Sequence, residues 1–371
     1  MGAGKLVIYK TCPQSGIETV EKRGLGHPDA LCDALAEHIS AAFARYCFEQ
    51  FGALIHYNIE GLTMDEGESN VWFGGGEITK PVRLHIRGNF ACQYLGKKIP
   101  YLDIAKQAIY DYLNKVVPEL DARKWLRIVD GVRAYGGPRH MYEINELIAN
   151  HMYIVSATYP PTPTESCVLR IEQKLNSPIY KAQHPYVGSD NKIIVIQNGN
   201  SVDISGYVSM ISGKVADADA LREYAEIIKD DVAKAATNDQ IRVDDIEIYS
   251  GIDPLHDGRV MTVSGSSIES YNGCAIGHSR YSVYHAAKVY SALAYQISKR
   301  IFNEEGLASA VKLTSQVGWP MSSPWHTDIN ILGNKNQDIV SRAQKERIGA
   351  IIEDEFGHIE DIVKNLMYGK T

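Results

Sequence analysis

Apolar residues recur at helical spacing in one stretch after another, and short runs of alternating or continuous apolar character lie between them. Leu31, Leu35, Ile39, Phe43 and Tyr46 form a single stripe on a helix that opens near Pro28. Proline suits the first helical turn because its missing N–H would have no intrahelical partner there. Asp29 adds negative charge where the helix dipole is positive. A second helix is predicted over 103–116. A third begins at Thr162-Pro163-Thr164-Glu165, where Thr162 and Glu165 make a capping box and Val168, Ile171 and Leu175 line one face. A fourth, near 220–236, buries Leu221, Tyr224, Ile228 and Val232, and a fifth, over 282–301, carries Val283, Tyr290, Ile297 and Ile301 at core spacing. Further helices end the chain. Strands are predicted at 5–10, 54–62, 81–91, 125–134, 153–159, 241–249, 259–264, 310–316 and 326–332. A hairpin over 192–196 and 201–210 turns on Asn198-Gly199-Asn200.

Strands alternating with amphipathic helices make this an α/β (α+β) chain, and 371 residues are enough for two or three such units. Sheet-plus-helix units recur about three times without a repeated sequence or a clean linker, so the domains are expected to interleave. A net charge of −7 argues against general nucleic-acid binding, although a local cluster can still hold a small anion. The six cysteines show no CxxC pair or metal spacing, and reduced, structural thiols are expected. MGAGKLVIYK has no apolar signal core and no run approaches membrane-span length, so a soluble, cytoplasmic protein is expected.

Four segments carry candidate chemistry. Gly24-Leu25-Gly26-His27-Pro28-Asp29 is a two-glycine loop entering a helix N-terminus, where backbone N–H groups can meet an anion, His27 can donate to phosphate and Asp29 can hold Mg²⁺. An ordinary helix cap uses the same residues. Gly74-Gly75-Gly76-Glu77 lets a backbone approach a ligand and offers a carboxylate to a cation, but it also reads as a glycine-rich hairpin and lacks the lysine of a Walker loop. In Val187-Gly188-Ser189-Asp190-Asn191-Lys192, Lys192 is either solvated or positioned to stabilise a leaving group. Gly277, His278, Arg280, His285 and Lys288 form a cationic group around a helix start. Hydrolase triads and dinucleotide fingerprints are absent from the sequence.

These pieces occur in one order. GLGHPDALCDALAE, FGGGEITKPV, PTESCVLRIEQKLNS, HPYVGSDNKIIVIQNGNSVDIS and LTSQVGWPMSSP together resemble the archaeal-type S-adenosylmethionine synthetases, over most of the chain from about Glu21 to Ile331. The resemblance implies three interleaved sheet-plus-helix domains in pseudo-threefold arrangement. The expected boundaries are 13–137 with 254–285 for a central domain carrying the phosphate turn, 1–12 with 162–253 for an N-terminal-type domain, and 138–161 with 286–371 for a C-terminal-type domain. It also implies a homodimer with active sites at the subunit interface, with ATP and methionine or an analogue as the partners, and no nucleic acid or membrane. Methionine sulfur would attack C5′ of ATP and expel triphosphate, with Mg²⁺ and K⁺ as cofactors. By motif, His27, Lys192, Arg280 and Lys288 would be catalytic, and Asp29 and Glu77 would hold Mg²⁺ and a monovalent cation respectively. Gly26, Glu60, Gly76, Asp103, Arg139, His140, His151, Asp190 and His285 would line the substrate and nucleotide site.

Two departures stand out. Where the family has a GQGS-like segment and an aspartate after Ala-Asn, this chain has Tyr135-Gly136-Gly137-Pro138-Arg139-His140 and His151. An aspartate pairs with methionine's ammonium, whereas histidine and arginine suit an anion. The family's long Gly- and Arg-rich stretch is abridged to Ser266 through Ser282, with Arg280 nearest to its lysine. Three readings therefore stand: S-adenosylmethionine synthesis, a related transfer from ATP to a different, anionic acceptor with altered triphosphate hydrolysis, and a non-catalytic partner subunit. Retention of His27, Asp29, Glu77 and Lys192 together favours the enzymes.

Overall fold

The computed structural model describes residues 5–11, 16–65, 67–136, 141–142, 147–238, 241–253, 261–262, 268–270, 282–333 and 340–369. In chain order its main elements begin with β1 (Lys5–Thr11), β2 (Glu18–Arg23), α1 (Pro28–Phe51), β3 (Tyr57–Asp65) and the hairpin β4 (Glu68–Trp72) and β5 (Gly75–Lys80). Next come β6 (Val82–Tyr94), α2 (Tyr101–Val116), β7 (Leu126–Gly136), β8 (Ile154–Tyr159) and α3 (Pro163–Asn176). β9 (Val187–Asn198), β10 (Ser201–Ile211), α4 (Ala218–Ala236) and β11 (Arg242–Asp253) follow. The last elements are α5 (Ala286–Glu305), β12 (Ser309–Thr314), β13 (His326–Leu332), α6 (Arg342–Gly357) and α7 (Ile359–Tyr368).

Three mixed sheets organise the described residues. In the central one β6 pairs antiparallel with β3 and parallel with β7, and its inner face rests on α1 and α2. Tyr57, Ile59, Leu62, Leu84, Ile86 and Phe90 point to that core, while Glu60, Arg83, Arg87, Arg127 and Arg133 point outward. The second sheet runs β11-β10-β9-β2 and buries its own cluster, in which Val20, Ile193 and Val195 meet Val168, Ile171 and Ile228 of α3 and α4. The third runs β1-β13-β12-β8 beneath α5, and its core is continuous with that of the central sheet.

Two domain boundaries need correction. β1 lies parallel to β13, so the N-terminal strand joins the C-terminal sheet and not the 162–253 unit. β2 pairs with β9, which puts 18–23 in the 162–253 unit and not in the central one. The physical reason is that strand pairing is non-local, and a strand's own pattern does not name its neighbour. The Gly-rich FGGGE segment is half of the hairpin β4–β5, whose turn is tied to the second unit by the Gly74 N–H bonding the carbonyls of Ser212 and Val215. The fifth helix starts at Ala286, later than 282, because His285 takes the cap and its Nδ1 accepts from the Ala287 N–H at 3.2 Å. Of the strand expected at 259–264, only Met261–Thr262 falls among the described residues.

Burial pushes the Cys32 and Cys47 thiols up to about 12 and Cys167 up to about 11, which keeps them protonated and inert. The four described cysteines are free, and no helix among the described residues is long and apolar enough to cross a membrane.

At the C-terminal end Arg347 of α6 donates two hydrogen bonds, 2.6 and 2.7 Å, to the Glu305 carboxylate that ends α5. This guanidinium holds the Glu305 carboxyl below its ordinary 4.5. A depressed folded-state value stabilises the fold above the ordinary value, and that contribution is lost as pH falls through the depressed one. Glu305→Gln should therefore melt lower than the wild type near neutral pH, with the gap closing in acid. A melting-temperature series from about pH 7 to pH 3 in which the gap stays constant would count against this pairing.

Candidate functional site

The GLGHPD turn is held by β9 in a way that changes its chemistry. The N–H of Gly24 donates to the Asn191 carbonyl at 2.7 Å and that of Gly26 to the Ser189 carbonyl at 3.0 Å. These two donors are therefore spent inside the protein, and the expectation that the glycines offer N–H groups to an anion is corrected. What the glycines provide is contact: a Cβ on Gly24 would stand 2.2 Å from Asn191 Oδ1, and one on Gly26 would stand 2.4 Å from Ser189 Cβ. The third sequence segment is thereby locked against the first. His27 caps α1, its Nδ1 accepting from the Asp29 N–H at 3.3 Å.

A chain of charges runs across this junction. Lys192 Nζ lies 3.1 Å from Glu21, Glu21 lies 2.9 Å from the Arg23 guanidinium, and Arg23 Nε lies 3.1 Å from Asp29. Glu21 and Arg23 alternate on one face of β2, and Arg23 sits directly opposite Lys192 in the ladder. Glu21, Arg23, His27 and Asp29 are only 14–20% exposed, whereas the Lys192 side chain is 36% exposed and reaches outward. Sequence reading missed Glu21 and Arg23, because alternating charges in V-E-K-R look like a solvated face. The signal that was available is their period-two spacing, two residues before the turn.

Behind this face lies a buried polar row. Asn191 donates to Asn176 and Asn176 to Glu172, while Lys181 donates to Ser189, whose hydroxyl donates to the Val116 carbonyl at 2.7 Å. Burial lowers Lys22 and raises Glu172, each offset in part by the other's charge. This row ties 189–192 to α2 and α3, so the segment bearing Asp190 and Lys192 has little freedom to shift.

A second group forms on the outer face of the central sheet. His56, Glu60, Arg87, Gly88, Asn89, Gly131, Arg133 and Tyr135 line an open cleft of about 440 Å³. Glu60 is the extra residue of a β-bulge between Ile59 and Gly61, and it accepts from Asn89 Nδ2. Tyr135 donates to the His56 carbonyl at 2.6 Å, and Tyr284 Oη lies 3.5 Å from His56 Nδ1. Next along the chain, His285 packs 5.0 Å from the Tyr153 ring, which lies 5.0 Å from His151. His151 and His285 thus reach the cleft that Glu60 lines through Tyr153, Tyr284 and His56. Sequence reading missed Arg87 and Arg133, which are legible only as the outward positions of two adjacent alternating strands.

Other expected residues stand apart from both groups. Lys288 is buried beside Glu37 of α1, Nζ to carboxylate 2.7 Å, and burial lowers its pKa. An ammonium sealed in this way links two helices, an arrangement that does not suit the catalytic role expected of it. Asp103 lines a groove between α1, α2 and α7, on the helical side of the central sheet. Gly76 and Glu77 sit on β5, where Asn70 donates to Glu77 at 3.0 Å. Arg139, His140 and Arg280 lie outside the described residues, as do Gly277 and His278.

The sequence profile of the S-adenosylmethionine synthetase (AdoMet synthetase) family matches residues 6–281 and 279–370. Among curated proteins, the S-adenosylmethionine synthase of Natronomonas pharaonis is 28% identical over 98% of this chain and 96% of its own length. The probable S-adenosylmethionine synthase of Aquifex aeolicus is 27% identical over 97% of the chain and 96% of its own. That of Hyperthermus butylicus is 29% identical, with 96% and 95% covered.

Proposed function

The chain belongs to the S-adenosylmethionine synthetase family, and we propose that it transfers the adenosyl group of ATP to the sulfur of methionine. In this transfer a sulfur lone pair forms the S–C5′ bond, the C5′–O bond breaks, and the electron pair leaves with the triphosphate. No proton moves, so no general base is needed, and the barrier lies in charge gathering on the leaving oxygen. The observation that carries the reading is the charged face in which Lys192 and Arg23 alternate with Glu21 and Asp29 beside the His27 cap.

Lys192, the most exposed of the group, would meet the oxygen leaving C5′. Arg23 and His27 would hold the outer phosphates, and Glu21 would keep Lys192 and Arg23 aimed at one place. The family is ATP-dependent and generally metal-dependent. A hard carboxylate oxygen beside a phosphate site fits Mg²⁺, which takes one or two protein carboxylates and completes its shell with phosphate and water. Asp29 would hold it, and it would neutralise charge on the triphosphate. Glu77, an exposed carboxylate steadied by Asn70, would hold K⁺.

Val71, Trp72 and Phe73 are exposed at the end of the hairpin that carries Glu77. An apolar patch of that kind is well suited to a second copy of the chain, which supports a homodimer with active sites at the interface. Free cysteines and dependence on ATP suit a cytoplasmic enzyme. Incubation with ATP, Mg²⁺ and K⁺, with and without methionine, followed by mass spectrometry, should yield S-adenosylmethionine only when methionine is present. ATP binding without that product would refute methionine as acceptor, and no ATP binding would refute the enzymatic reading altogether.

A further inference from the structure

The cleft on the central sheet has a charge pattern that methionine does not use fully. Its lining includes two guanidiniums, Arg87 and Arg133, and one carboxylate, Glu60. Among the described residues neither arginine has an ion-pair or hydrogen-bonding partner, although the chain as a whole is acidic at −7. Both are exposed at the cleft rather than folded into the protein. Arg87 lies flat over a floor without side chains: a Cβ on Gly61 would stand 3.2 Å from its terminal nitrogen, and one on Gly131 would stand 3.2 Å from its Cγ. The two glycines let the Arg87 side chain lie against the sheet, at the cleft that Arg133 and Glu60 also line.

The bulge aims Glu60 into the same space, with Asn89 steadying one of its oxygens. One carboxylate matches one ammonium, and two guanidiniums match two carboxylates, each by paired N–H···O bonds. A zwitterion with a single carboxylate would leave one arginine unanswered. We infer that this cleft recognises a thioether amino acid bearing a second carboxylate, in preference to methionine. Arg87 and Arg133 take its two acid groups, and Glu60 takes its ammonium. A volume of about 440 Å³ accommodates a molecule of this size. Its role as acceptor rests on the adenosyl-transfer reading, in which the ligand's sulfur attacks C5′, the C5′–O bond breaks and triphosphate leaves with the electron pair. Binding to the cleft does not depend on that reading.

The test is calorimetric titration of the full chain with S-carboxymethyl-L-cysteine and with methionine, in the presence of Mg²⁺ and a non-hydrolysable ATP analogue. S-carboxymethyl-L-cysteine should bind at least about tenfold more tightly, which is what one close charge pair supplies at the low end. Arg87→Gln and Arg133→Gln should each abolish most of that preference, while Glu60→Gln should weaken both ligands alike. Equal or weaker binding of S-carboxymethyl-L-cysteine, or a preference unchanged in both arginine variants, would overturn the inference. Replacing the analogue with ATP and assaying for a sulfonium product judges the transfer reading separately: tight, arginine-dependent binding without product refutes transfer and leaves the cleft's recognition standing.

Discussion

Replacing Lys192 by methionine should lower kcat by about 10² to 10³-fold, the range found when a single donor to a developing oxyanion is removed. Lys192 emerges from the ladder opposite Arg23, with its Nζ 3.1 Å from Glu21, and is the group in this cluster with the most freedom to reach a ligand. Its charge is worth most when the C5′–O bond is breaking, so the loss should appear in kcat far more than in the KM for ATP. Stability is a clean control here. A side chain 36% exposed in a surface-facing ion pair contributes about 0–1 kcal/mol, so the variant should fold and melt close to the wild type. A kcat within about threefold of wild type, which is under 1 kcal/mol of barrier, would remove Lys192 from the reaction.

Gly26→Ala should be damaging in two ways. The new methyl would stand 2.4 Å from Ser189 Cβ and 2.6 Å from its carbonyl carbon, and backbone cannot move aside as a flexible side chain can. Overpacking of this kind costs about 1–3 kcal/mol, readable as a lower denaturation midpoint. Relief of the clash must also part the turn from β9, carrying His27 and Asp29 away from Lys192. A displacement on the order of 1 Å between groups that act on one substrate lowers kcat/KM by about 10²-fold. Full activity in Gly26→Ala would show that the contact between the turn and β9 does not position the site. Gly52→Ala is the matching control on α1's other end. Gly52 has a left-handed φ of 69° but an open surrounding, so it should lose stability without a comparable loss of activity.

What the sequence made legible follows from how local each signal was. α1 was readable because its apolar stripe, Pro28 and Asp29 all lie within the helix, and its cap fell at His27 beside them. The capping box at Thr162 and Glu165 was equally local, and both of its hydrogen bonds form. β1 was readable as a strand but not as a neighbour of β13, more than 300 residues away, because no residue in it encodes that register. β4 and β5 were legible only through the glycines of their turn, because exposure on both faces removes the alternation that marks a half-buried strand.

The candidate site divides in the same way. His27, Asp29 and Lys192 stood out through motif order, and the structure adds the ion pairs through Glu21 and Arg23 that connect them. The burial of Lys288 was not legible, because a lysine near a helix start looks exposed and the carboxylate that pairs with it, Glu37, is 251 positions away. Arg87 and Arg133 look like ordinary outward residues of amphipathic strands until β6 and β7 are paired and both side chains line one cleft.

The central claim is that the face carrying His27, Arg23 and Lys192 serves cleavage of ATP at C5′. ATP carrying ¹⁸O in the bridge between C5′ and the α-phosphorus, incubated with the enzyme, Mg²⁺, K⁺ and methionine, tests it directly. Breaking C5′–O sends the label into triphosphate or the phosphates derived from it, and leaves the sulfonium product without it. Label retained on adenosine, with ADP or AMP formed instead, would mean attack at phosphorus and would contradict the account.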